Sequence, residues 1–290
     1  MNLKSTAIAL PLVTMASLAS AQNVEYLSYG AAYINSDDAD VFGLGGTIDY
    51  RNSNFVLNGG VGYADLDGLD GNDDVTTLDF RAGYFVTQAA VIYGGYSYTD
   101  TDGDDSDAYN IGGEYNFNQF TVGLNFEDID ESGVDTFSTI YAGYQVTNEL
   151  ELGLQVSDQD DLDTVTTLTA DYDLGDTELF AVYSDNDSGD FFAINGNYDF
   201  QNGFRVGGGY TDLDSDVELI SISGGYEIAE NLWIDASYGN LDIDGASDED
   251  VFGLAISFET GRETLLVDRL DTVQTEALGV LGSALAGPRF

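Results

Sequence analysis

The sequence predicts an all-β fold, a transmembrane antiparallel up-and-down β-barrel of about 16 strands with a short helical tail at the C-terminus. Three observations lead to this prediction. Apolar residues alternate with small or polar ones, the connections between the alternating segments alternate in kind, and aromatic residues concentrate at both ends of the segments. Alternation with period two is the mark of a strand with one apolar face.

The N-terminus predicts export. Residues 1–4 are a short basic start, residues 5–18 are largely apolar, and Ala19, Ser20 and Ala21 form a small-x-small end. This is the pattern of a secretory signal peptide. The predicted boundaries are therefore a signal peptide at 1–21, a barrel at 22–260 and an amphipathic helical tail at 261–290. The chain has no Cys, so an exported form is not stabilised by disulfides.

The composition excludes two classes of protein. A formal net charge of −46 excludes nucleic acid as a partner, because phosphate binding relies on Lys and Arg. A chain that is 43% hydrophobic and 12% aromatic is not intrinsically disordered, since low hydrophobicity is half of that signature.

The alternation recurs in successive segments. In the stretch VFGLGGTIDY, Phe42, Leu44, Ile48 and Tyr50 are apolar while small or polar residues stand between them. We predict strands at residues 24–34, 40–50, 54–64, 75–86, 89–99, 108–117, 119–128, 136–146, 149–157, 164–174, 177–184, 190–200, 203–212, 217–228, 231–241 and 250–259.

The connections fall into two sets. One set is short and nearly neutral, with stretches such as TQA, TNE and QNG, and the other is longer and acidic, with stretches such as DTDGDDSD and DLDGLDGNDD. A soluble β-sandwich also shows alternation. However, consecutive hairpins, a polar face made of small residues, and loops that are short at one end and long at the other favour an outer-membrane barrel.

Aromatic residues supply a further indication. A lipid-facing barrel carries girdles of aromatic side chains at the two headgroup layers, and the general preference of aromatics for strands is the alternative explanation. One set lies next to the short turns and a second next to the acidic loops: Tyr50, Phe55, Tyr84, Phe117, Phe120, Tyr144, Tyr172, Phe200, Phe204 and Tyr226, then Tyr33, Phe42, Tyr63, Tyr98, Tyr109, Phe126, Phe192, Tyr210, Tyr238 and Phe252.

With the A-x-A signal end, repeated GGY strand centres (residues 94–96, 208–210 and 224–226) and a last strand VFGLAISF ending in Phe258, residues 22–260 resemble a Gram-negative outer-membrane porin of the general-diffusion, sixteen-stranded type. The resemblance implies passive diffusion, the cell outer membrane with its lipid and lipopolysaccharide as surroundings, extracellular loops, periplasmic termini and a homotrimer. Two departures stand out: the family usually folds a long third loop into the lumen, and it usually ends at the last strand.

The face opposite the apolar one is predicted to line the pore. Sixteen strands leave room for an aqueous channel, and rings of carboxylate favour cations. We therefore predict a passive channel for small hydrophilic solutes that prefers cations. The predicted pore-lining residues are Asp49, Asp79, Arg81, Glu114, Glu127, Glu151, Asp171, Asp173, Asn195, Asn197, Asp199, Arg205, Glu227 and Asp235.

Two basic residues are predicted inside the pore. Arg81 and Arg205 fall on the fourth and thirteenth strands, on roughly opposite walls. They either create a transverse field against nearby acids, as constrictions do in the family that the chain resembles, or pair locally. Local pairing would join Arg81 to Asp79 and Arg205 to an acid across strands.

The acidic stretch YTDTDGDDSDAYN raises the question of a metal. Asp100, Asp102, Asp104 and Asp107 offer hard oxygen ligands for loosely bound calcium, but Asp105 and Ile111 stand where an EF-hand loop requires Gly and Glu. No cofactor is predicted beyond such calcium. The chain has no His, which removes the usual hydrolase arrangements, and we predict no enzyme activity and no catalytic residues.

The tail has a different pattern. Leu266, Leu270, Val273, Ala277 and Val280 follow helical spacing. This amphipathic helix starts on the short-turn side, so it either lies in the periplasm, docks on a partner there, or enters the lumen as a plug. The alternative function is accordingly a structural or adhesive outer-membrane barrel with a plugged lumen and acidic, cation-binding loops.

Overall fold

The structure is a computed structural model that describes residues 23–36, 39–67, 72–101, 104–129, 136–159, 164–186, 189–214, 217–243 and 248–277, so the predicted signal peptide lies outside the described residues. Within these ranges the chain forms sixteen β-strands and one α-helix, α1 (Leu266–Ala277). The strands are β1 (Val24–Asn35), β2 (Asp40–Asn52), β3 (Phe55–Asp67), β4 (Asn72–Phe85), β5 (Ala90–Thr101), β6 (Asp104–Phe117), β7 (Phe120–Ile129), β8 (Phe137–Gln145), β9 (Leu150–Gln159), β10 (Val165–Asp173), β11 (Thr177–Asn186), β12 (Gly189–Asp199), β13 (Phe204–Leu213), β14 (Val217–Ala229), β15 (Leu232–Ile243) and β16 (Glu249–Gly261).

The strands close into a barrel. Each strand pairs antiparallel with the next in sequence, and β1 pairs with β16, for example at Ala31 opposite Ile256. Closure satisfies the backbone hydrogen bonds of every strand and leaves no open sheet edge, which a membrane-spanning sheet requires. The predicted all-β, sixteen-stranded barrel is confirmed, and the soluble β-sandwich alternative is wrong.

The two faces of the barrel differ as the alternation predicts. Large apolar side chains point outward and remain exposed, with Ile140 at 69%, Ile111 at 66% and Ile222 at 63%. A continuous apolar surface of this kind is a liability in water but is what the lipid-facing side of a membrane barrel presents. Small, polar and charged residues alternate with these positions and face the interior.

Aromatic side chains pair across neighbouring strands at both ends of the barrel. Beside the short turns, Phe120 stacks on Tyr144 with ring centroids 4.5 Å apart. Towards the longer connections, Tyr238 and Phe252 lie 5.2 Å apart. Such pairs stabilise antiparallel strands beyond their buried area.

The tail lies inside the barrel. Leu265, Leu266, Val267 and Leu270 are buried against inward-facing residues of β3, β4, β5 and β8. Ala277, at the other end of α1, packs against Val182 and Ala193 on β11 and β12. Of the three positions expected for the helix, the structure therefore shows the lumenal one, while Val280 falls outside the described residues. No helix among the described residues has the length and apolar character needed to cross a membrane.

Candidate functional site: the barrel lumen

A cavity remains in the lumen on one side of the tail, and it is called the passage below. A cavity of about 530 Å³ is lined mainly by strands β11 to β16 and β1. Its lining begins at the short turns, with Gly175 and Asn231, and reaches Tyr33 and Ile34 at the far end of β1. The cavity thus follows the strands along most of their length. The predicted pore-lining residues Asn195, Asn197, Asp199, Arg205, Glu227 and Asp235 all contribute to it.

Arg205 is held in place within this passage. Its Nε donates to Asp235 Oδ1 at 2.6 Å and its Nη2 donates to Asp235 Oδ2 at 2.5 Å, so the pair is bidentate. Its guanidinium carbon also lies 4.4 Å from the centroid of the Trp233 ring. Bidentate pairing and stacking fix the orientation of an arginine more firmly than a single contact.

The Arg205–Asp235 pair spans an intervening strand. Arg205 on β13 is opposite Gly225 on β14, which is opposite Asp235 on β15. A Cβ atom at Gly225 would overlap Asp235 Oδ1 and lie 2.9 Å from Arg205 Cγ. Glycine at this position therefore lets the two side chains meet above the sheet. Of the two alternatives for Arg205, the structure shows local pairing with a cross-strand acid.

Arg81 has a partner on the tail that the sequence analysis did not foresee. Its Nη1 forms an ion pair with Asp268 of α1, and both side chains are largely buried. Its guanidinium carbon also lies 5.4 Å from the ring centroid of Tyr93. Arg81 thus binds the tail across the lumen, because Asp268 on the tail reaches the wall beside it.

Two predicted pore-lining acids are covered by the tail. Asp49 is fully buried, and its Oδ2 accepts a hydrogen bond of 2.6 Å from the backbone N–H of Thr264. Glu114 is 4% exposed, and its Oε1 accepts from the N–H of Val267 at 3.0 Å. The first N–H groups of a helix have no partner within the helix, and carboxylates are favoured at that end. These two acids therefore bind the N-terminal end of α1 through hydrogen bonds.

A buried network supports Glu114. The hydroxyl of Tyr141 donates to Glu114 Oε1 at 3.1 Å and lies 2.9 Å from the hydroxyl of Tyr93. The Tyr141 ring lies where a Cβ at Gly123 would stand, and the Tyr93 ring does the same at Gly112. The two glycines thus let the rings lie flat against the inner wall.

The remaining predicted residues lie beside the tail. Glu151 binds two tail arginines, accepting from Arg262 Nη2 at 2.8 Å and from Arg269 Nη2 at 3.3 Å. Arg262 also reaches Asp171 at 3.3 Å. Glu151, Asp171 and Asp173 border a cavity of about 170 Å³, and Asp79, Arg81 and Glu127 border one of about 230 Å³.

Several lumenal residues were missed by the sequence reasoning. Glu178, Trp233 and Glu259 line the passage, and Arg262 and Arg269 bring two further positive charges inside. The signal for Glu178 was weak, because Phe180 and Val182 make the inward face of β11 apolar as well. The inward position of Trp233 could have been found from its alternation with Ile234.

The acidic stretch extends two strands. β5 continues to Thr101 and β6 begins at Asp104, with Asp100 opposite Asp105 and Tyr98 opposite Asp107. The Tyr96 hydroxyl donates to the Asp107 carboxylate. Asp102 lies outside the described residues, and within the described ranges no group of acids is arranged to hold a metal ion. Calcium binding at this hairpin stays a prediction.

A closed sixteen-stranded barrel with an apolar outer face, a charged inner face and a passage along its strands defines the channel-forming class of outer-membrane barrel. Comparisons with known proteins agree with this class. Residues 95–190 match the family model of the Gram-negative porin. A comparison with curated proteins finds no match to this chain.

Solved porin structures share the fold. Two engineered mutants of the Rhodopseudomonas blastica porin are 14% and 15% identical to this chain, each with a TM-score of 0.51 and with 82% of this chain and 99% of theirs covered. A structure described as "Asymmetric conductivity of engineered proteins" is 14% identical, with a TM-score of 0.52 and coverage of 82% and 100%. The resemblance to a sixteen-stranded Gram-negative porin is confirmed for the fold and for the matched residues.

Proposed function

We propose that the chain is a passive outer-membrane diffusion channel for small hydrophilic solutes. The observation that carries this proposal is the passage of about 530 Å³ that follows strands β11 to β16 and β1 from the short turns to the far end of β1. Family match and fold are those of channels and not of enzymes. The short turns and the tail face the periplasm in this proposal, and the longer acidic connections face outward.

The passage favours cations. Its lining includes the acids Glu178, Asp199, Glu227 and Glu259 in addition to Asp235. Among the described residues of this lining, Arg205 is the one basic side chain, and its charge is offset by its bidentate pair with Asp235. The remaining carboxylates leave the lumen negative, which concentrates cations and repels anions.

Ion selectivity tests the proposal. In a planar bilayer under a potassium chloride gradient, the refolded chain should give open steps with a cation-selective reversal potential. Each carboxylate about 7 Å from a passing ion in water contributes about 0.6 kcal/mol, a factor of about three. The double substitution Asp199→Asn with Glu227→Gln removes two of these charges and should therefore lower the potassium-to-chloride permeability ratio severalfold.

The matched control keeps both charges. Asp199→Glu with Glu227→Asp changes the side-chain lengths and should leave the reversal potential close to that of the wild type. An anion-selective wild type, or equal selectivity in the neutral and charged double variants, would contradict the proposed role of these acids. A folded, membrane-inserted but silent wild type would favour the structural or adhesive alternative, which the tail inside the lumen supports.

Loose calcium binding at the acidic rim is a separate proposal. Asp100 and Asp105 face each other across the β5–β6 hairpin, and Asp107 lies two residues further along β6. Carboxylate oxygens are the hard ligands that calcium prefers. Millimolar calcium should slow the cleavage of the long connections by a broad-specificity protease, and magnesium at the same concentration is the control. Equal cleavage with and without calcium would remove the proposal.

Assembly also stays a proposal. The resemblance to general-diffusion porins implies a homotrimer surrounded by outer-membrane lipid and lipopolysaccharide. A native mass of about three chains in detergent, measured by light scattering, is the expected result, and a monomeric mass would reject it.

A further inference from the structure

The lumen of this barrel is narrowed by the tail. β5 ends at Thr101 and β6 begins at Asp104, so two residues separate them. Between β7 and β8, which end at Ile129 and begin at Phe137, the chain has seven residues. Neither connection has the length to cross a sixteen-stranded lumen and return. The segment that crosses it is the tail, defined here as residues 262–277.

The wall beneath the tail is shaped to receive it. Leu266 Cδ2 lies 2.8 Å from the position that a Cβ at Gly143 would take. Leu270 lies in the same way over Gly153, with Leu270 Cγ 3.6 Å from the corresponding position. Glycines on the neighbouring strands β8 and β9 thus form a floor for two leucines. Both leucines are buried, at 0% and 3% exposure.

The polar contacts of the tail are reciprocal. The tail supplies Arg262 and Arg269 to wall carboxylates, and the wall supplies Arg81 to Asp268 of the tail. Wall acids also accept the N–H groups at the start of α1. A reciprocal arrangement of charges specifies one docked position, because a shift of one helical turn would place like charges together.

The tail is covalently joined to the barrel at one point, the end of β16. Gly261 has a φ of +86°, and a Cβ there would collide with the carbonyl of Glu25. This left-handed conformation, which favours glycine, turns the chain from β16 into the lumen. The barrel closes through ten paired positions between β1 and β16, from Tyr26 opposite Gly261 to Asn35 opposite Phe252. Because α1 is not part of this pairing, the wall can persist when the tail leaves.

Release would expose groups that water can solvate. Asp49, Arg81, Glu114 and Glu151 are charged, and they would line a wider aqueous lumen. The buried leucines oppose release, because exposing them to water is unfavourable. The docked position should therefore dominate, with rarer excursions to a wider pore.

We propose that the tail is a releasable lumenal gate: docked, it confines diffusion to the passage along β11 to β16 and β1, and released, it opens the remainder of the sixteen-stranded lumen. This inference rests on the proposed channel function. It adds a second conductance state, which the channel enters when the contacts between the tail and strands β2 to β12 break.

A reversible cross-link tests the gate in the full chain. The wild type has no Cys, so Gly143→Cys with Leu266→Cys introduces the only two thiols, at positions that face each other in the docked state. Under reducing conditions, single channels should show a lower and an upper level, the upper at least about twice the lower because a helix about 10–12 Å across leaves the lumen. Oxidation should abolish the upper level, and reduction should restore it.

Each result bears on one of the two proposals. Leu266→Cys alone is the control and should not respond to redox conditions. Failure of the two thiols to join in the folded barrel, as measured by thiol labelling, would overturn the docked position. Identical levels before and after oxidation would overturn release. If oxidised and reduced channels are folded but silent, the proposed channel function fails instead.

Discussion

Deletion of residues 262–290 is expected to raise the single-channel conductance about two-fold or more. The α-helix that leaves the lumen is about 10–12 Å across with its side chains, and sixteen strands leave an aqueous channel when it is gone. The deletion also removes Arg262 and Arg269, which uncovers Glu151 and Asp171. Cation selectivity should therefore increase together with conductance. Both quantities are measured in the same bilayer recording under a potassium chloride gradient.

Barrel folding is the control for this deletion. Heat-modifiable gel migration and the far-ultraviolet circular dichroism of strands should match those of the full chain, because the β1–β16 seam closes without α1. A folded deletion variant with the conductance of the wild type would show that the tail does not restrict the pore. Conductance that rises while selectivity falls would contradict the assignment of Glu151 and Asp171 to the widened lumen.

Gly153→Leu, a substitution in the barrel wall, should displace the tail and increase the time that the channel spends at its upper conductance level. A Cβ at this position would overlap Leu270 Cδ2 and Thr169 Oγ1, so a leucine there leaves no room for the docked helix. Overpacking of a filled contact typically costs about 1–3 kcal/mol. A shift of this size changes the ratio of open to closed states by about 5- to 150-fold. The fraction of time at the upper conductance level reports it.

Two companion variants make this result specific. Gly224→Leu is the control, because Gly224 lies on the exposed outer face of β14, where the nearest atom to a Cβ is 4.0 Å away, and this variant should behave as the wild type. Adding Leu270→Ala to Gly153→Leu returns space to the same contact and should lower the open fraction again, which is the coupling expected of touching residues. An open fraction that does not change in Gly153→Leu would count against the helix being the gate.

The barrel was predictable because alternation specifies it directly. Outward Ile111 and Ile140 and inward Glu114 and Gly143 follow from a period of two, and a slip of one residue would place every apolar side chain in the lumen. The strand ends were less predictable. β6 begins at Asp104 and not at residue 108, because the facing acidic segments of the hairpin continue the hydrogen-bonded ladder.

The position of the tail was less accessible from sequence, since an amphipathic helix fits a membrane surface, a partner or a lumen equally well. A signal for the lumen was nevertheless present. Val56, Phe85, Val91 and Tyr93 interrupt the alternation by placing apolar side chains inward on the adjacent strands β3, β4 and β5. Phe85 and Val91 are directly paired. An apolar patch inside a polar pore requires an apolar cover.

The partner of Arg81 could not be predicted for a related reason. Asp79 lies two residues away on the same strand face, whereas Asp268 lies far along the chain and reaches Arg81 only through the fold. Sequence proximity points to Asp79 and carries no signal for Asp268. Arg205 was different, because one strand separates it from Asp235 and the regular register of a barrel brings the two together.

The place where the tail leaves the wall also orders the steps of assembly. The N–H of Arg262, the first residue of the tail, donates to the carbonyl of Glu25 at 3.1 Å, beside the point where β16 meets β1. The helix contacts strands from β2 to β12, so the surface on which it docks is complete only when these strands have formed the wall. A newly closed barrel is therefore expected to pass through a wide stage before the tail docks in its lumen.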